Sequence, residues 1–435
     1  MAVLSPCNTW AVGDYDPEQT LIVHWDGAAW TQVPSPDPGT EASLRAVAPV
    51  SPSDIWAVGE YNDGTALRTL IVHWNGAAWK QVPSPNVSGT TVDNLVAVRA
   101  TSATDVWAVG SYTNSNNVSQ TLILHWNGSA WKQVKSPNPG GPARDQELTS
   151  VASVSAKDAW AVGFYYNGGF DQSIILHWNG TAWTQQKSPD PGSQGTFLQG
   201  VRASSPTNAW AVGSSYNGTA DKTLIVHWNG SAWKQVKAPN PGGPARDQEL
   251  TSVASVSAKD AWAVGFYYNG SFDQSIILHW NGTAWTQQKS PDPGTQGTFL
   301  QGVRASSPTN AWAVGSSYNG TADKTLIVHW NGSAWKQVKT PNPGGSAQNN
   351  DLMAVAVTPG GDAWAAGQFA TGTGMRTLVL HLDGSAWRWE PTQSFGDSVI
   401  DDTVTAVGAS PDSSVWAVGS YYTSTGYQTF AIHCC

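Results

Sequence analysis

Asp158-Ala159-Trp160-Ala161-Val162-Gly163-Phe164-Tyr165 alternates bulky and small side chains with a period of two. In an extended chain Trp160, Val162 and Phe164 share one face, and Ala159, Ala161 and Gly163 share the other. A large face behind a small one lets successive sheets nest, so the stretch reads as a strand packed on both sides. Its tetrad Trp-Ala-Val-Gly also begins at Trp10, Trp56, Trp107, Trp210, Trp262, Trp312 and Trp416, with Trp-Ala-Ala-Gly at Trp364. Successive intervals are 46, 51, 53, 50, 52, 50, 52 and 52 residues. A His-Trp-Asn-Gly signature or a variant follows each tetrad, from His24 to the degenerate His433-Cys434-Cys435, and absorbs all nine histidines. Of the 25 tryptophans only Trp389 lies outside three repeat positions. The chain is therefore nine copies of one unit, each burying its faces mainly against its neighbours.

The copies alternate in kind. Residues 142–243 and 244–345 differ only at Gly169 against Ser271, Ser193 against Thr295 and Ala238 against Thr340, so the duplicated unit spans two repeats. Within residues 148–190 the pattern predicts strands over 148–154, 158–165, 173–178 and 182–187. Asn179-Gly180 between the last two is a hairpin signal, both residues tolerating positive φ. Ser188-Pro189-Asp190-Pro191-Gly192 ends the fourth strand, because proline has no N–H for a ladder. Ile174-Ile175-Leu176 is apolar on both faces, while Gln185, Gln186 and Lys187 mark the fourth strand as outermost and leave the first innermost. No helical period survives for ten residues.

These features predict an all-β fold, a single nine-bladed β-propeller of four-stranded antiparallel blades. Boundaries fall near 1–38, 39–89, 90–139, 140–192, 193–243, 244–294, 295–345, 346–395 and 396–435. Nine sheets about 10 Å apart put the innermost strands at a radius of roughly 7 Å, around a water-filled channel. Outer-strand tryptophans number eight (Trp30, Trp79, Trp131, Trp183, Trp233, Trp285, Trp335, Trp387) against nine tetrads. The last blade is thus expected to have three strands, with an edge at 429–433 open to pairing with a second chain. Asn179-Gly180-Thr181-Ala182-Trp183 is similar to an Asp-box turn, shorter and with Asn for the usual Asp except at Asp26 and Asp383. The repeat order resembles sialidase-type and photosystem-assembly-factor-type propellers, and the Trp, Gly and Asn content resembles tachylectin-like lectins. The resemblance implies an architecture, and lectin-like binding as an expectation.

A formal net charge of −9, with only 12% charged residues and scattered Lys and Arg, disfavours nucleic acid as a partner. No apolar run approaches 18 residues, so no transmembrane helix is expected. The start of the chain lacks the marks of a signal peptide, while the lysine-poor, Trp- and Asn-rich composition favours an extracellular or cell-surface setting. Cys7 and Cys434 are candidates for a disulfide that closes the ring.

The histidines sit one per blade, too dispersed for a metal, and no cofactor motif occurs. A structural role, hydrogen-bonded between blades, is expected for them. Trp160 and Trp178 are expected to pack between blades, and Trp183 to be partly exposed. Arg99, Arg202 and Arg304 recur in Val-Arg-Ala on separate innermost strands, and no lone carboxylate breaks the repeat as a catalytic acid would. Catalysis is not expected. Binding is expected on the face that carries the loops between the second and third strands and the blade-to-blade loops. Residues of the former are singled out: Tyr165, Tyr166, Asn167, Phe170 and Asp171, repeated as Tyr267, Tyr268, Asn269, Phe272 and Asp273. Alternate blades offer Tyr216, Asn217 and Asp221, then Tyr318, Asn319 and Asp323. Aromatic rings beside Asn and Asp suit carbohydrate, in several equivalent sites. A protein-interaction scaffold, or a structural repeat without a ligand, is the alternative, as a monomer or an edge-paired dimer.

Overall fold

The computed structural model describes all residues except 1, 6–7, 16–18, 26–29, 88, 358–362, 373, 391–401, 410–414, 424–425 and 435, with side-chain detail confined to the first eight blades. Its 35 strands fall into nine consecutive groups, eight of four strands and a last of three, each a simple antiparallel meander. Blade 4 runs Gln146–Ser155, Asp158–Tyr166, Asp171–Trp178 and Trp183–Gln185, from innermost to outermost. Blades 2 and 3 are stitched into one sheet where Leu67 pairs in parallel with Val92. Blade 9 comprises Asp402–Ala409, Val415–Thr423 and Gly426–Cys434. Its third strand packs on blade 1, which closes the ring. Among the described residues that strand pairs only with Val415–Thr423, as the count of outer tryptophans predicted. Cys7 lies outside the described residues, as does the side chain of Cys434. No helix of the described residues is long and apolar enough to cross a membrane.

The two-faced second strand builds the core. Trp160, Val162 and Ile175 of blade 4 pack on Leu198, Val201, Ala209, Ala211, Leu224 and Val226 of blade 5. Trp107, Val109 and Ile123 of blade 3 meet the small face of blade 4, Ala159 and Ala161 among Leu148, Val151, Ile174 and Leu176. The hydrophobic core is thus a ring of separate inter-blade layers rather than one centre, as nearest-neighbour packing requires.

Trp178 packs between blades as expected, against Trp107 of blade 3, but the expectation for Trp183 is overturned. Trp183 on the outer strand is 4% exposed, whereas Trp178 is only half-buried, its indole N–H donating to Ala156 O at 3.0 Å. The outer indole is turned inward because it stands edge-on against the tetrad tryptophan of the preceding blade: Trp107 and Trp183 centroids are 5.1 Å apart at 89°. Such edge-to-face pairs add to the gain from area burial. The histidines are also placed differently from the expectation. Their hydrogen bonds stay within a blade, His73 Nε2 to Asp54 Oδ1 at 2.8 Å and His227 Nε2 to Asn208 Oδ1 at 2.7 Å. Each ring stacks on its own tetrad tryptophan, as with Trp160 and His177 at 4.0 Å, and the next blade supplies a tilted tryptophan such as Trp228.

The turns use different chemistry from the two-residue hairpin expected. Trp178 pairs with Trp183, so the loop is four residues long. Only Gly180 has positive φ, at 91°. Asn179 instead uses its side-chain oxygen, which accepts the N–H groups of Thr181 and Ala182 at 3.0 Å each. The tetrad glycine has another cause. The first strand bulges between Leu148 and Ser150 opposite Gly163, and a Cβ on Gly163 would sit 1.9 Å from Glu147 O.

Candidate functional site

The face that carries the loops between second and third strands brings the predicted residues together, but most serve the fold. Asn167 Oδ1 accepts the N–H groups of Gly169 and Phe170 at 2.9 and 3.1 Å, and Asn217, Asn269 and Asn319 shape their loops in the same way. The Tyr165 ring lies against the core layer between blades 3 and 4, and its hydroxyl donates to Gln172 Oε1. Tyr267 repeats this with Gln274 at 2.6 Å. Phe170, Phe272, Tyr216 and Tyr318 are half-buried. Tyr166 and Tyr268 are the large aromatics of the set that stand out, at 39% and 40% exposure.

The aspartates of the set open the third strands, and two of them tie neighbouring blades through their backbone. The Asp221 N–H donates to Asp247 Oδ1 and the Asp323 N–H to Asn349 Oδ1, both at 3.0 Å. Burial raises the carboxyl pKa values of Asp171, Asp221, Asp273 and Asp323, with the nearby carboxylate of Asp145 or Asp247 adding to it for the first three. Asp351 is pushed up to about 6 by burial, then by Asp323. Lys222 bridges to the next blade through carbonyls, Gly243 O at 3.0 Å and Arg246 O at 2.7 Å.

Two hollows lie on the outer rim between blades, where the blade-to-blade loops leave the outer strands. One of about 580 Å³ is bounded by Lys339, Thr340 and Pro341 of blade 7 and Ser385, Ala386 and Trp387 of blade 8. A second, of about 380 Å³, uses the equivalent Lys289, Ser290 and Pro291 of blade 6 with Ser333, Ala334 and Trp335 of blade 7. Of the predicted residues Tyr267 lines a hollow of about 340 Å³, with Gln288, Ser290 and Asp292. The signal for the rim was present in the sequence, as the repeated Lys-Ser-Pro and Asn-Gly-Ser-Ala-Trp segments, but only their meeting across a blade boundary makes a groove.

The three recurrent arginines are not independent, although they sit on separate blades. Arg99, Arg202 and Arg304 hold one register position, opposite Trp107, Trp210 and Trp312 on innermost strands. Their side chains are solvent-exposed, yet the surrounding ring lowers all three guanidinium pKa values by desolvation, Arg202 to about 10. After desolvation, the charges of Arg304 and Arg99 depress Arg202 further, and that of Arg99 depresses Arg304.

No family model matches the chain, and no curated protein matches it. Solved structures do resemble it. Sqt1 of Chaetomium thermophilum bound to the N-terminus of ribosomal protein L10 aligns with a TM-score of 0.52 at 12% identity, over 89% of this chain and 96% of that one. YCF48 of Cyanidioschyzon merolae aligns at 0.39 and 13% identity, over 78% and 96%. The fucose-recognising lectin of Aleuria aurantia aligns at 0.34 and 11%, over 67% and 92%. At such identities the likeness speaks to fold alone: this chain is built as a β-propeller.

Proposed function

We propose that the chain is a multivalent binding module for carbohydrate, extracellular or cell-surface in setting, rather than an enzyme. The observation that carries the reading is the recurrence of one groove at successive blade boundaries. It is lined by Trp335 or Trp387, by Ser333 or Ser385, and across the blade boundary by Ser290 or Thr340 beside Lys289 or Lys339. A lining that combines apolar surface with hydroxyls and amines suits a hydroxyl-rich ligand, and both volumes fall in the range of small-molecule sites. Exposed Tyr166 and Tyr268 add flat platforms on the adjoining face. Near-identical blades repeat their polar groups, which favours several equal sites over one asymmetric constellation.

Calorimetry with methyl glycosides of fucose, galactose, mannose and N-acetylglucosamine tests this. More than one site per chain is expected for at least one sugar. Ser333→Trp with Ser385→Trp fills the two grooves and lowers the stoichiometry, while Tyr166→Ala with Tyr268→Ala tests the face. Binding of a single sugar per chain, or none, refutes the multivalent reading. A stoichiometry untouched by either pair of substitutions removes both locations.

A further inference from the structure

In blades 2–8 the first strand places one residue opposite the tetrad tryptophan. Blades 3, 5 and 7 place Arg99, Arg202 and Arg304 there. Blades 2, 4, 6 and 8 place Ala48, Ala152, Ala254 and Ala356. The alanines are buried, whereas the three arginines are open to water and yet surrounded by protein, as the wall of a lumen is. Beside Arg202 that wall encloses a hollow of about 230 Å³, bounded by Ser150, Gln199, Thr251 and Ser252 from the first strands of blades 4, 5 and 6. Among the described residues none of the three arginines has a carboxylate partner. Arg202 and Arg304 donate only to the carbonyls preceding them, Val201 O at 3.3 Å and Val303 O at 2.9 Å. Arg45, three residues earlier in the repeat, is bound by Glu60 at 2.7 Å.

We propose that the channel holds one multiply charged oxyanion, phosphoryl or polycarboxylate, gripped jointly by Arg99, Arg202 and Arg304. Three guanidiniums two blades apart, facing an axis roughly 7 Å from the strands that bear them, converge on a volume that one small anion fills. Each supplies planar paired donors that match two oxygens of such a group. The packing does not require the cations, because alanine fills the same position in four sister blades. Like charges enclosed together disfavour the ionised form, and an anion removes that conflict. The site is separate from the rim grooves and stands or falls without them.

Calorimetry with inorganic pyrophosphate and with citrate at low salt, with methyl galactoside as the neutral control, tests the proposal. One site per chain is expected for at least one anion and none for the control, with affinity falling steeply as salt rises. Whichever anion binds tells phosphoryl from carboxylate recognition. The triple variant Arg99→Ala, Arg202→Ala, Arg304→Ala, which copies the sister blades, is expected to lose at least 100-fold in affinity, and Arg202→Gln alone about tenfold. In thermal denaturation the anion raises the midpoint of the native chain and not of the triple variant. Binding of neither anion at millimolar concentration, or equal binding by the native chain and the arginine variants, overturns the proposal.

Discussion

Blades 4 and 5 are one scaffold wearing two sets of polar residues. Glu147, Ala152, Asp158, Tyr165 and Gln172 in the first become Phe197, Arg202, Asn208, Ser215 and Lys222 in the second. The apolar frame hardly notices. Trp160 stacks on His177 at 4.0 Å and Trp210 on His227 at 3.9 Å. Both second strands are buried over the tetrad, and both glycines face a bulge in the first strand. Stability therefore resides in positions that the two blades share, and chemical individuality in the ones they do not.

The largest expected effect tests that equality. Trp160→Ala and Trp210→Ala each remove a fully buried indole, at a cost of about 3–5 kcal/mol. Urea denaturation should find the two costs within 1 kcal/mol or so of each other. A clear gap breaks the comparison, since the layers would then not be equivalent. Next come the glycines. Gly163→Ala and Gly213→Ala put a Cβ 1.9 Å from Glu147 O and 2.1 Å from Phe197 O, so each should cost about 1–3 kcal/mol as overpacking, measured in the same way.

Histidine environment sharpens the contrast. Desolvation lowers the His227 pKa from 6.5 to about 4, and lowers that of His329. In both, the neighbouring oxygen belongs to an uncharged Asn. With the folded pKa below the unfolded one, the unfolded chain binds the extra proton. Stability is full above pH 6.5 and is lost as pH falls from there through about 4. Asn208→Asp with Asn310→Asp gives these blades the partner seen beside His73 and His125. The double variant should flatten that slope in thermal melts between pH 7 and 4. Persistence of the full slope would mean that the histidines are not its source.

The smallest effect is on Asp351, which carries the opposite sign. Its pKa, raised from 3.8 to about 6, gives stability that is present below 3.8 and lost as pH rises through 6. Asp351→Asn should therefore raise the melting temperature at pH 7 by a few degrees and leave it unchanged at pH 3.5. An equal shift at both pH values would mean that packing, rather than charge, is responsible.

A residue's place in a loop is legible in the sequence, but its partners are not. Asn167 and Asn217 were rightly placed in loops, but their loops use the side-chain oxygens internally, which residue type alone does not reveal. Trp183 and Trp178 were ranked in the wrong order of burial, because strand position says nothing about which neighbour's indole a ring will meet. The blade-to-blade loops are legible as candidates, but not their groove partners: Pro291 and Trp335 stand 44 residues apart in the sequence and meet only across a blade boundary.

By itself the sequence determined the class of fold, the repeat and the strand order within it. Those follow from period-two alternation, the nine tetrads and the eight outer tryptophans, all properties of a strand and its immediate turns. Tertiary structure alone decided which polar groups come together. Arg99, Arg202 and Arg304 lie about a hundred residues apart, 103 and then 102, and read one at a time they are isolated surface charges. Closing the ring brings the arginines of three blades near enough for their charges to act on one another. Curvature accumulated over many blades does this, and no single blade contains it.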